Sequence, residues 1–331
     1  MILQTEFARD WGLKLPIVAG GLQWLANADY VAAAANAGVL PFLTAASLPD
    51  DDSLRAEIRR TKTLTDRPFG LNVSMLPKLV PGDRTEGIFQ IAIDEGLKIV
   101  ETSGRNPEAY LPMLQDAGVR VLHKVPSVRY AVSAQRSGVD MVSIVGAECG
   151  GHPGLDLIGS LVNMGLAERR LTIPFLIGGG IATGGQIVSA LANGAQGVVI
   201  GTRFLVADEI PAHPDYKRRL AEAGERDTVL TMASVRNTVR TLKNLTTDAV
   251  HELEAAKPDI TFEDLRPLVA GTIGRRAYET GDTSQGLLSA GQALGLTDTP
   301  APLAQIVDTL AHEAERALSR LNALQPEREN A

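Results

Sequence analysis

Cysteine is almost absent from this sequence of 331 residues, and aromatic side chains make up only 4% of it. The one cysteine, Cys149, excludes an intrachain disulfide and a metal site built on paired cysteines. A reducing compartment, the cytoplasm, is therefore the expected location. Because aromatics are so few, the core must be built mainly from Ala, Val, Leu and Ile, as is usual for α/β proteins.

Basic residues are fewer than acidic ones, and long apolar runs are also lacking. The 32 basic and 39 acidic residues give a net charge of −7, which argues against a nucleic-acid partner. No run of about 18 apolar residues lacks a charge, so no membrane span is expected. The N-terminus carries Glu6 and Asp10 and has no basic segment followed by an apolar one, so it does not resemble a signal peptide. No clustered spacing of histidines and carboxylates indicates a metal site.

Short apolar runs alternate with helical patterns through the first two-thirds of the chain, which is typical of βαβ units around a parallel sheet. Eight such strand and helix units in about 200 residues predict a (β/α)8 TIM barrel, whereas a doubly wound sheet usually has five or six strands. The predicted strands are 15–20, 39–43, 68–73, 97–102, 119–124, 139–144, 173–178 and 195–201.

The alternation stops after the eighth strand. Residues 1–210 are therefore assigned to the barrel, 211–295 to a small, mostly helical cap, and 296–331 to a C-terminal helix that packs back on the barrel near its first helices. The segment "DTVLTMASVRNTVRTLKN" (227–244) is interpreted as helical. The last helix has an apolar stripe at helical spacing, formed by Leu303, Ile306, Val307, Leu310, Ala314, Ala317, Leu318 and Leu321.

Two glycine-bearing loops follow the seventh and eighth strands, "IGGGIATGGQ" (177–186) and "IGTRF" (200–204). In barrels these two loops commonly form a phosphate site with a helix N-terminus, because free backbone N–H groups and the helix dipole favour an anion. Gly178, Gly179 and Gly180 let the backbone approach a phosphate closely, while Gly201 and Thr202 supply a second backbone wall and a hydroxyl. The alternative is that these glycines only turn the chain.

Three further side chains are candidates for chemistry at the carboxyl ends of the strands, where active sites of this fold are built. Asn72 ends the third strand, and Lys124 ends the fifth, where it either stabilises negative charge on a ligand or pairs with a barrel carboxylate. His152 lies in "AECGGHPG" (147–154), directly after the sixth strand, and its imidazole suits proton abstraction near neutral pH. Covalent catalysis by Cys149 is disfavoured, because no basic residue precedes it and Glu148 adjoins it.

These motifs together resemble the nitronate monooxygenase family, formerly 2-nitropropane dioxygenases, whose members are FMN-dependent barrels. The motifs are "GGLQW", Asn72, Lys124, "ECGGHPG", "GGGIATG", "GTRF" and the cap segment "ERDTVLTMASVRNT". The resemblance implies that backbone groups around Gly179, Gly180, Gly201 and Thr202 hold the FMN phosphate. It further implies that the flavin ring contacts Gly21, Leu22 and Gln23, that Asn72 and Lys124 bind its polar edge, and that Gly151 also borders the cofactor.

The motif details look more like the branch similar to bacterial NADH:quinone reductases. The resemblance therefore implies that hydride from NADH or NADPH passes through flavin N5 to a quinone. Nitronate oxidation with O2, with His152 as base or as a substrate-orienting group, is a full competitor. Flavin-dependent enoyl reduction and a non-catalytic FMN- or sugar-phosphate-binding barrel are further alternatives. Either a monomer or a homodimer is compatible with the sequence.

Two segments are candidates for contact with the nicotinamide nucleotide. The loop "SMLPKLVPG" (74–82) either clamps the nicotinamide nucleotide or is an ordinary mobile loop. Arg236, Arg240 and Lys243 in the cap either meet an anionic nucleotide or face solvent.

Overall fold

A computed structural model describes residues 3–75 and 82–324. Its centre is a closed barrel of eight parallel strands in sequential order, which confirms the predicted fold. No strand end differs from its predicted position by more than two residues. The strands are β1 (Ile17–Ala19), β2 (Leu40–Thr44), β3 (Gly70–Met75), β4 (Ile99–Gly104), β5 (Arg120–Val125), β6 (Met141–Val145), β7 (Phe175–Gly178) and β8 (Gly197–Ile200).

A helix follows each of the first seven strands and covers the outside of the barrel, while a short helix precedes β1. These elements are α1 (Glu6–Asp10), α2 (Ala28–Asn36), α3 (Asp51–Leu64), α4 (Thr85–Asp94), α5 (Leu111–Asp116), α6 (Val128–Ser137), α7 (Ser160–Arg170) and α8 (Gly184–Ala192). Short 3₁₀ turns lie at Ala45–Ser47, Glu108–Tyr110 and Thr202–Phe204.

The interior of the barrel is apolar towards its amino-terminal end. Side chains alternate between the two faces of a strand, so every second residue points inward. Phe7 and Leu13, from α1 and the residues after it, pack against the inward-facing residues and close the barrel from below. The inward apolar set comprises Val18, Leu40, Phe42, Ile99, Leu122, Met141, Leu176 and Val199. Towards the other end the inward positions become polar, and this change locates the candidate site.

The cap after β8 is mostly helical, as predicted, but residues 227–244 do not form a helix. They form a hairpin in which β9 (Thr228–Thr231) pairs antiparallel with β10 (Val239–Leu242). Threonine and valine fill five of the eight strand positions, and these β-branched side chains favour strands over helices. The other cap elements are α9 (Pro214–Ala221), α10 (Leu245–Ala256), α11 (Phe262–Val269), α12 (Gly271–Thr280) and a 3₁₀ turn at Gln292–Leu296.

The C-terminal helix α13 (Leu303–Asn322) packs back on the barrel, mainly against α8 and also against α2. The contact is close at Gly184, where a Cβ atom would lie 2.2 Å from the backbone nitrogen of Ala314. The predicted stripe is buried from Leu303 to Ala317, but Leu321 is 48% exposed. Among the described residues, no helix has the length and apolar character needed to cross a membrane.

Candidate active site

Three polar side chains from neighbouring strands meet inside the carboxyl end of the barrel. Asn72 on β3 lies beside Glu101 on β4 in the strand register, and Lys124 lies near the end of β5. Oε2 of Glu101 accepts hydrogen bonds from the Asn72 amide nitrogen and, at 3.0 Å, from the Lys124 ammonium. The carboxylate is fully buried, whereas the lysine side chain is 24% exposed. The barrel carboxylate expected as one alternative for Lys124 is therefore present.

This polar layer contains buried atoms whose hydrogen-bonding capacity is unused. Among the described residues, Glu101 Oε1, Thr44 Oγ1 and Ser143 Oγ have no partner. Thr44 pairs with Asn72 and Ser143 pairs with Lys124 in the strand register, so all of these side chains face the barrel interior. Buried polar atoms without partners are rare, and they often mark the site of a ligand or an ordered water. The layer thus fits a polar ligand at the barrel mouth.

The loop after β1 lies directly against this layer. A Cβ atom on Gly21 would come within 2.7 Å of the Asn72 side chain, so only glycine lets the backbone approach so closely. Leu22 reaches towards the loop after β8, since its Cδ2 would lie 3.8 Å from a Cβ atom on Gly201. Gln23 is exposed, and Trp24 has a φ of 67°, which is uncommon for a side chain of its size. The backbone of the loop at Gly21 therefore lies directly against the polar layer at the mouth.

The two predicted phosphate-binding loops follow adjacent strands, because β7 pairs with β8. Gly179 and Gly180 have φ values of 91° and 72°, and a Cβ atom on Gly179 would lie 2.8 Å from the nitrogen of Gly146. Within residues 3–75 and 82–324, no acceptor is bound to the backbone N–H groups of Gly179, Gly180 and Gly201. Unpaired N–H groups in consecutive glycines form a suitable cradle for an anion. The Thr202 hydroxyl accepts from Gly291 N–H at 2.9 Å, which leaves its own hydrogen available.

The N-terminus of α8 differs from the expectation of free helix N–H groups. The side chain of Thr183 accepts from Gln186 N–H, and the Gln186 side chain in turn accepts from Thr183 N–H. Glu313 of α13 accepts from Gly184 N–H at 2.7 Å. This helix end is thus capped by the protein itself. Any anion held here would depend on the loop N–H groups before the helix rather than on its first turn.

The loop that carries His152 is held by the cap. Gly151 donates its N–H to Arg240 O at 3.0 Å and accepts from Arg240 N–H at 2.7 Å. The Arg240 guanidinium binds Ala147 O through two N–H groups, each at 3.1 Å. Arg240 is only 9% exposed and therefore does not face solvent, which corrects that alternative for this residue. Because the N–H of Gly151 is occupied by the cap, it is not available to a ligand.

His152 itself is exposed at this end of the barrel. Partial desolvation lowers the pKa of its imidazole below the ordinary 6.5, and the positive charge of Lys124 lowers it further, while a hydrogen bond with Asn237 opposes both effects. The ring is therefore neutral at pH 7. A neutral imidazole has one nitrogen that accepts a proton and another that donates a hydrogen bond.

Two other titratable groups near the site, Cys149 and His123, keep one protonation state near neutral pH. Burial raises the pKa of the Cys149 thiol to about 12, so almost no thiolate forms near neutral pH, in agreement with the expectation against covalent catalysis. His123 adjoins Lys124 but faces the opposite side of the strand, where its Nδ1 lies 2.8 Å from the Thr102 hydroxyl. Burial lowers the pKa of His123 to about 4, so this ring stays neutral.

Three residues of the site were not expected from the sequence. Glu101 had a visible signal, since a carboxylate within a buried apolar strand needs a partner. Asn237 belongs to the cap hairpin and had no local signal. Glu148 accepts from Ser160 N–H at 3.0 Å at the start of α7, a role that only the folded loop reveals. Most of the loop 74–82, expected either to clamp a nucleotide or to be an ordinary mobile loop, lies outside the described residues.

These features define a class of protein, a (β/α)8 barrel with an anion cradle after β7 and β8, a buried polar layer at the mouth, and a neutral histidine held over it by a cap. Comparison with known proteins agrees with this description. The family model for nitronate monooxygenase matches residues 6–313, and the chain belongs to that family. The family is flavin-dependent, and its members are oxidoreductases, as this chain is.

Three similar proteins illustrate the range of the family. A (3aS,4S,5R,7aS)-5-hydroxy-7a-methyl-1-oxo-octahydro-1H-indene-4-carboxyl-CoA dehydrogenase of Mycobacterium tuberculosis is 33% identical over 70% of this chain and 64% of its own length, just under two-thirds. FabK from Thermotoga maritima is 29% identical, with a TM-score of 0.88 over 98% of this chain and all of that one. Nitroalkane oxidase from Streptomyces ansochromogenes is 28% identical, with a TM-score of 0.80 over 95% and 99% of the two chains.

Proposed function

We propose that this chain is an FMN-dependent oxidoreductase whose barrel, residues 1–210, binds the cofactor and whose cap, residues 211–295, borders the substrate. The observation that carries the proposal is the set of unpaired N–H groups on Gly179, Gly180 and Gly201 beside the free Thr202 hydrogen. Such groups suit the FMN phosphate. FMN, when bound, supplies two-electron transfer at its isoalloxazine ring.

The residues at the mouth fit the rest of the cofactor. Gly21, Leu22 and Gln23 offer the surface for the ring. Lys124 retains N–H donors, and within the part of the chain that the structure describes no group donates to Asn72 Oδ1. An acceptor beside a cationic donor is complementary to the imide edge of a flavin, which carries an N–H between two carbonyl groups.

For the second substrate we propose a quinone, with NADH or NADPH as the reductant. The supporting observation is the position of His152 after β6 at the mouth of the barrel, where a ring N–H can donate a hydrogen bond to a carbonyl oxygen of the substrate. Hydride transfer itself requires no protein base. Residues 76–81 of the loop 74–82, for which clamping a nicotinamide nucleotide is one of two alternatives, lie outside the described residues.

Nitronate oxidation is the second candidate, favoured by the family match and by the same histidine. As a neutral imidazole, His152 accepts a proton from the carbon of a neutral nitroalkane, and Lys124 lies close enough to influence its charge. The similarity to a carboxyl-CoA dehydrogenase favours a third candidate, flavin-dependent enoyl reduction of a CoA thioester. An oxidoreductase family argues against a non-catalytic binding barrel.

Anaerobic mixing of the FMN-loaded protein with single substrates distinguishes these reactions. Quinone reduction is supported if NADH or NADPH rapidly bleaches the flavin absorbance and a quinone then restores that absorbance. Return with an enoyl thioester but not with a quinone supports the third candidate. Bleaching by an alkyl nitronate and by neither nicotinamide nucleotide would contradict the quinone proposal and support the second.

A further inference from the structure

We infer that Glu101 is a positioning residue for the cofactor, one that fixes the orientation of Asn72 and partly neutralises Lys124. The inference rests on the proposed FMN site. A fully buried carboxylate inside the barrel, directly below the mouth, requires an explanation because an unpaired buried charge is costly. No described partner other than Asn72 and Lys124 binds this carboxylate.

The orientation of Asn72 follows from the chemistry of its partner. An ionised carboxylate only accepts hydrogen bonds, so the amide group that faces Glu101 must be the NH2 group. The Asn72 carbonyl oxygen is therefore turned away from Glu101, and no described residue donates to it. Without Glu101, the two ends of the amide would be free to exchange. Glu101 thus determines that position 72 presents an acceptor to a ligand.

Lys124 is fixed by the same oxygen atom. Its ammonium lies 3.0 Å from Glu101 Oε2, so one of its three N–H groups is occupied and its charge is partly compensated. A cation beside a flavin favours the reduced form, which carries more negative charge, and a nearby carboxylate weakens this effect. Glu101 is therefore expected to hold the reduction potential of bound FMN below the value that Lys124 alone would produce.

Two substitutions separate the geometric effect from the charge effect. Glu101→Gln removes the charge but keeps one oxygen that accepts from both Asn72 and Lys124, as Oε2 does. We expect its FMN dissociation constant to stay within about threefold of wild type. The equilibrium between oxidised and reduced flavin should shift about tenfold towards the reduced form. This shift corresponds to a rise of about 30 mV in the reduction potential of a two-electron couple. Glu101→Met has similar length but no acceptor, and we expect FMN affinity to fall at least tenfold.

The matched control is Glu95→Gln. Glu95 is also buried, at 7% exposure, and also carries ion pairs, with Arg59 and Lys62, but it lies at the end of α4. Its substitution should lower the thermal midpoint without changing FMN affinity or potential. The readouts are FMN fluorescence titration of the apoprotein and anaerobic equilibration with a reference dye. Neither readout depends on turnover.

The outcomes separate this inference from the proposed function. If the wild-type protein binds no FMN, the proposed FMN site itself is contradicted. If wild-type protein binds FMN, the role of Glu101 is overturned by an unchanged potential in Glu101→Gln or by an unchanged FMN affinity in Glu101→Met. The FMN site itself then stands. If Glu101→Gln does not fold, Glu101→Asp keeps the charge but shortens the side chain by one methylene. It should then retain the wild-type potential with FMN bound several-fold more weakly, and unchanged affinity would contradict the inference.

Discussion

Gly151 and Arg240 exchange two backbone hydrogen bonds, of 3.0 and 2.7 Å, and so join the histidine loop of the barrel to strand β10 of the cap. The Arg240 side chain strengthens the junction by binding Ala147 O twice and Thr228 Oγ1 at 3.2 Å. The cap therefore does more than cover the mouth, since it determines where the loop of His152 lies.

Arg240→Ala should destabilise the protein, because three hydrogen bonds to a buried guanidinium are lost. We expect a loss of at least about 1.5–3 kcal/mol in the free energy of unfolding, the range for a single hydrogen bond to a charged group. Chemical denaturation measures it. Lys243→Ala is the control, since that exposed side chain follows the same strand. Equal stability of the two variants would show that the junction does not depend on the guanidinium.

His152→Ala should retain bound FMN but lose proton abstraction from neutral nitroalkanes, while oxidation of NADH continues because hydride transfer needs no base. His312→Ala, a substitution of an exposed histidine on α13, is the control. Steady-state assays with a nitroalkane and with NADH measure the two activities. Undiminished nitroalkane oxidation by His152→Ala would remove the proposed role of this histidine.

The pH dependence of nitroalkane oxidation should have an acidic limb with a midpoint below 6.5. The base must be neutral, and partial desolvation together with Lys124 lowers the pKa of His152, so activity persists towards neutral pH and falls as pH decreases through the lowered pKa. The profile of kcat/KM against pH, measured with the nitroalkane, tests this. A midpoint above 6.5 would mean that the protonated ring is stabilised, contrary to the structure.

Cys149 should resist alkylation in the folded protein. Its pKa of about 12 keeps the thiol protonated up to about pH 10, and only 9% of the residue is exposed. Iodoacetamide at pH 8 should label the native chain at least tenfold more slowly than the urea-unfolded chain, as followed by mass spectrometry. Rapid labelling of native protein accompanied by inactivation would reopen covalent catalysis.

The strands of the barrel were predictable because a parallel sheet covered on both faces reads as short apolar runs at regular spacing. Glycines and polar residues at strand ends likewise indicated the mouth, because the fold brings those ends together. The hairpin β9–β10 was misread, since its Val and Leu residues also fit a helical spacing. Glu101 was missed although its place in a buried apolar strand was visible in the sequence, whereas Asn237 was missed because its role depends on a partner distant in the sequence. Tertiary contacts of that kind leave no local pattern.

Gly184→Ala should destabilise the packing of α13 on α8. The new methyl group would lie 2.2 Å from Ala314 N and 2.3 Å from Leu310 O, and backbone atoms cannot move aside easily. Overpacking of this kind costs about 1–3 kcal/mol. Gly185→Ala is the matched control in the same helical turn, because its nearest contact would be 3.9 Å. Thermal unfolding should rank Gly184→Ala below wild type and Gly185→Ala at or above it.

The proposed function depends on an FMN phosphate held by the loops after β7 and β8, and titration of the purified apoprotein with FMN and with riboflavin tests this most directly. We predict one FMN per chain and at least about tenfold weaker binding of riboflavin, which lacks the phosphate that the unpaired N–H groups would bind. A chain that takes up no FMN, or that binds riboflavin equally well, would contradict the account.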